Sequence, residues 1–219
     1  FDLGGLNPAT DVVYFPTLGD NRVMTALIRS LGVAAADNYT DDAYDLERKG
    51  RTGRQYVGDA VCVPLAAVFA DMLAAVEDFL ARKRSGDPRY AGKSRIVLFM
   101  NGGDGPCRLG QYIHVFKLAF VRVFGRPEIP CPTAGGPDDA VQLRLLENVS
   151  SSLSDNGDFF AAFEPWAAIL GYQGLVAHGL YHSLLLKAAA RCRDEASFRA
   201  MMKEYRELKE AVSRQIEVG

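Results

Sequence analysis

Residues 11–38, DVVYFPTLGDNRVMTALIRSLGVAAADN, decide the fold class. DVVYFPTL opens as an apolar run broken by Pro16, the pattern of a short buried strand. Asp20 or Asn21 can cap the following helix, RVMTALIRSLG, and Gly32 stands in the usual C-terminal position. VAAADN then resumes an extended pattern. Strand, helix and strand within about thirty residues is the signature of a parallel βαβ unit.

Working outward, the polar stretch 37–55 predicts a loop or a short exposed helix. VPLAAVFADMLAAVEDFLARKR (63–84) is the clearest helix. Its Leu65, Val68, Phe69, Met72, Leu73, Val76 and Phe79 recur at i, i+3, i+4 and i+7, one wide apolar face. Pro64 lies in the first turn, where a missing N–H costs nothing. SGDPRYAGKS is a turn, RIVLFM a strand, residues 109–124 a helix closed by Gly125, and EIPCPT a last extended segment. From Asp138 onward the pattern predicts helices, with breaks near 154–158 and at Glu164–Pro165. The tail DEASFRAMMKEYRELKEAVSRQIE alternates charge signs at i, i+4, a solvated face. The expectation is an α/β fold: a Rossmann-like parallel sheet flanked by helices, with a helical C-terminal part. Residues 1–135 would form the cysteine-bearing α/β domain, and 136–219 a helical segment packed on it.

The chain has 219 residues, 48% of them hydrophobic, enough for a large core. Its net charge is −2 with the charges interspersed, which argues against nucleic-acid binding. Every long apolar stretch carries acids, bases or histidine, so no membrane span is expected. The chain opens on Phe1, and FDLGGLNPAT has neither a basic region nor an apolar core. It reads as a piece of a longer protein or a processed product. A core of this size does not need disulfides, so the cytoplasm is the expected compartment for its four cysteines.

Three of those cysteines share a setting. Cys62 precedes Pro64 at the start of the long helix, Cys107 lies in NGGDGPCRLGQY (101–112), and Cys131 lies in IPCPTAGGPDD. Each reads as a loop between an extended segment and a helix start. In open α/β sheets such loops gather at the carboxyl ends of the strands, where ligands bind. The positive end of a helix favours a thiolate there. Three thiolates from separate loops suit an iron–sulfur cluster with one iron left without a protein thiolate. The short C-x-x-C pairs of structural zinc sites are absent from the sequence. The competing reading is three small buried hydrophobes. Cys192, in KAAARCRDE, has no glycine around it and reads as structural or exposed. His178 and His182, four apart on one helix, read as packing residues, and His114 as a core-edge residue. Gly105, Arg108 and Gly110 could approach a cofactor, with Arg108 facing a thiolate, a cluster or an acyl-CoA phosphate. There is no G-x-x-x-x-G-K-S/T loop for nucleotide hydrolysis and no recognisable Ser/His/Asp order.

GPCRLGQY (105–112) resembles a motif of the large CoA-substrate-specific enzyme activases, relatives of the 2-hydroxyacyl-CoA dehydratases. CVP (62–64) and PCP (130–132) match the family's other cysteine segments in order, and WAAILGYQGLVAHGLYH (166–182) is similar to a helical stretch that follows. The resemblance implies a dehydratase-like α/β domain with an oxygen-sensitive iron–sulfur cluster, a four-iron centre in low-potential electron transfer and anaerobic metabolism. Carried over, the ligands would be Cys62, Cys107 and Cys131. The implied partner is an activase ATPase domain or a dehydratase-like subunit, with a homodimer left open. Val61 departs from the acid that relatives often carry before the first cysteine. The alternatives are a non-catalytic interaction domain and an acyl-CoA-binding domain without a cluster.

Overall fold

The computed structural model describes residues 6–16, 21–37, 46–59, 62–101, 108–125, 128–130, 140–148 and 165–218. It has an α/β fold built on a five-stranded sheet of order β2-β1-β3-β5-β4. The strands are β1 (Asp11–Phe15), β2 (Ala34–Asp37), β3 (Arg95–Asn101), β4 (Glu128–Pro130) and β5 (Ala140–Asn148). β1 pairs in parallel with β2 and β3, and β3 with β5; β4 alone is antiparallel, on the edge. The βαβ reading of residues 11–38 stands: α1 (Arg22–Ser30) separates β1 from β2, and Gly32 has φ +81° beyond its end. All five residues of β1 are buried, as a strand covered on both faces requires.

Ala140–Asn148 is a strand, whereas its sequence pattern predicts helix. AVQLRLLEN contains one β-branched residue among good helix formers, so local propensity points the wrong way. Seven register pairs with β3, from Arg95↔Gln142 to Asn101↔Asn148, override it. The chain divides into two units, one of residues 1–21 and 33–163, the other of residues 22–32 and 164–219. The first holds the sheet with α2 (Leu46–Val57), α3 (Val63–Arg84) and α4 (Tyr112–Phe124). The second joins α1 to α5 (Pro165–Ala189) and α6 (Glu195–Val218).

In the first unit, α3 buries the predicted face, and Phe69 packs at a tilt against Phe116 and Phe120 of α4 at ring distances of 5.6 and 5.0 Å. Each fully buried side chain of this size stabilises by about 1.5–3 kcal/mol. α3 also buries Ala66, Ala67, Ala70 and Ala75, so it packs on more than one side. Gly53 of α2 lies against the Ala66 backbone with no room for a side chain. Among the described residues no helix is long and apolar enough to cross a membrane.

Candidate functional site

In the strand order, β1 has β2 on one side and β3 on the other, so the connections that leave β1 and β3 part company at the carboxyl ends of those strands. Ligands of open α/β sheets bind at such switch points. NGGDGPCRLGQY starts on the last residue of β3 and runs into α4. Its residues 102–107, with Gly105 and Cys107, lie outside the described residues. A 3-10 turn over Arg108–Gln111 follows, in which Arg108 is exposed and Gly110 half-buried. Tyr112 begins α4 and is 3% exposed.

Cys62 comes to this place from the other side. It is the N-cap of α3, with extended backbone (φ −66°, ψ 146°), and Pro64 follows in the first turn. Its thiol is free and half-buried. Cys62 Sγ touches Tyr112 Oη at 2.6 Å. Two helix starts, 50 residues apart in sequence, are thereby in direct contact, and Tyr112 is five residues from Cys107 along the chain. Tyr112 is the residue that sequence reasoning missed: it closes the quoted motif, but nothing in its spacing announces a thiol partner.

Cys131 lies outside the described residues. The preceding residue, Pro130, pairs with Ala140 at the first position of β5, whereas Asn101 pairs with Asn148 at its last. β4 runs antiparallel to β5, which is the next described element and a strand where the sequence pattern predicts a helix.

Cys192 is half-buried past the end of α5, its thiol against the Ala188 carbonyl and Met201 Sδ. His178 is buried, while His182 and His114 are exposed, so the i, i+4 histidine pair does not share an environment. Among the described residues no group of three or more His, Cys, Asp or Glu side chains could hold a metal. Cys62 is the sole one of the three expected cysteine ligands within the described residues.

A separate cavity of about 490 Å³ lies among α2, α3 and α4. Its charged lining is Arg48, Lys49 and Arg82 against Asp71, Glu77 and Asp78. Lys49 and Asp71 form a buried ion pair at 2.6 Å, and Arg82 grips Asp78. Equal numbers of each sign leave no net attraction for a phosphate, and Cys62 is not part of the lining. No protein-family model, no curated protein and no solved structure matches the chain.

Proposed function

We propose that this chain is an iron–sulfur cluster-binding domain, acting in low-potential electron transfer within an acyl-CoA dehydratase activase-like system. One observation carries the reading: the Cys62 thiol rests on Tyr112, at the end of the segment that contains Cys107. Cys62, Cys107 and Cys131 are the thiolates assigned to the site. When bound, the cluster would supply a one-electron couple. The chain's own part is to hold the thiolates, with Cys62 at the start of α3, where N–H groups point outward and the helix dipole favours negative charge. The Tyr112 hydroxyl adds a hydrogen-bond donor beside the Cys62 sulfur, the kind of contact that tunes a cluster's potential. The glycines of residues 102–110 would let backbone approach cluster sulfurs closely.

Anaerobic reconstitution with ferrous iron and sulfide tests this. Iron and acid-labile sulfide per chain should fall to a small fraction of the parent's in Cys62→Ser and in Cys107→Ser. Cys192→Ser should match the parent. Cys131→Ser should lose iron likewise. Parental iron in both Cys62→Ser and Cys107→Ser would end the cluster reading.

A further inference from the structure

α5 is a helix with two contrasting faces. Along one face Gly171, Gly174 and His178 are buried. A Cβ on Gly171 would lie 2.9 Å from Leu27, and one on Gly174 would lie 2.9 Å from Val23 and closer still to Ile216. Those glycines bring α5 close to α1 and α6. The opposite face should be polar on a surface helix. Instead Ile169, Tyr172, Val176, Leu180 and Leu184 are 44–70% exposed, with Leu175 and Leu186 beside them. No Asp, Glu, Lys or Arg occurs from Pro165 to Leu186.

We propose that this face is the isologous interface of a homodimer, a second copy of the chain packing antiparallel on α5 across a twofold axis at Val176. The stripe is nearly its own reverse. Turned end for end about Val176, Tyr172 falls opposite Leu180, and Ile169 falls opposite Ser183, one residue short of Leu184. An isologous interface needs such a self-complementary patch. Antiparallel pairing also sets the two helix dipoles favourably. The seven side chains offer on the order of 600 Å² of apolar surface, most of the ~800 Å² per partner in a standard interface. A membrane surface is the poorer occupant, because interfacial helices carry Lys and Arg along their polar flank and α5 has none before Lys187.

Sedimentation of the full chain between about 1 and 100 µM, concentrations that span ordinary homodimer affinities, should show a monomer–dimer equilibrium. Leu180→Glu places two like charges in the interface and should raise the dissociation constant about 100-fold. Its thermal midpoint should match the parent's, since Leu180 is 62% exposed. Leu118→Glu, at an exposed leucine of α4, should leave the equilibrium unchanged. Val176→Cys faces itself across the axis and should oxidise to an interchain disulfide that the parent does not form. A chain that stays monomeric at 100 µM, a dimer indifferent to Leu180→Glu, or a monomer that binds anionic vesicles through α5 would each overturn the proposal.

Discussion

Asp11 and Arg95 show what a single pair contributes at the base of the sheet. They are register partners on β1 and β3, and Asp11 is fully buried. The Arg95 guanidinium grips the carboxylate at 2.8 and 2.5 Å, and the Asn7 N–H and Thr10 hydroxyl also donate to it. Burial alone would push the carboxyl up; the hydrogen bonds from Arg95, Asn7 and Thr10 outweigh it and hold Asp11 below the usual range. A carboxyl that is more acidic when folded stabilises above the unfolded value of about 4 and loses that stabilisation as pH falls further. The parent should therefore lose stability below about pH 4 more steeply than Asp11→Asn. At pH 7 the Asn variant should be less stable by about 3 kcal/mol, because it leaves Arg95 without its anion. Urea titrations at pH 3, 4 and 7 measure both effects. Tyr112→Phe is the matching change at the thiol site. It keeps the ring contact with Phe116, so it should cost about 1 kcal/mol or less in stability. In reconstituted protein it should shift the reduction potential while leaving the iron content near the parent's.

Among elements, those whose burial is written in one repeating pattern were legible. α3 shows its apolar face at helical spacing, and that face is the core. α4 ends where Gly125 takes φ +70°, as a C-terminal glycine suggests. β5 was not legible, because its identity resides in partner residues 47 positions away on β3 and not in its own Leu, Gln, Arg and Glu. Tyr112 was hidden for a related reason, since a thiol–hydroxyl contact across 50 residues leaves no local mark. Close helix approach is similarly silent until seen. A Cβ on Gly53 would lie 2.8 Å from Ala66 Cα and closer to its carbonyl oxygen, all of it backbone that cannot swing aside. Gly53→Ala should therefore destabilise by about 3 kcal/mol despite its gain in helix propensity. Gly125→Ala meets open space and should cost about 1 kcal/mol, from its left-handed backbone alone. Chemical denaturation of the two variants side by side separates a steric from a conformational penalty.

At the scale of the whole chain, α1 is the element on which sequence order and packing disagree. It connects β1 to β2, yet it belongs to the unit formed by α5 and α6. Val23 and Leu27 of α1 pack where Gly174 and Gly171 of α5 make room, and Ile216 of α6 joins the same contact. Arg29 also meets Glu217 at 2.7 Å, but this pair is largely solvated and should contribute under ~1 kcal/mol. The apolar contact is thus what binds the C-terminal helices to a helix from the N-terminal part. A fragment of residues 1–163 would keep every strand and still lack all partners of α1 within that unit. It should bind a hydrophobic dye strongly and unfold at lower temperature than the whole chain. A fragment of residues 164–219 has α5 and α6 but no α1, and should be only partly helical by circular dichroism. Mixed at equal concentration, the two should associate, lose the dye signal and regain helicity, because the glycine-lined groove for α1 is made by α5 and α6 alone. Fragments that ignore each other, or a 1–163 fragment as stable as the parent, would show that α1 does not depend on the C-terminal helices.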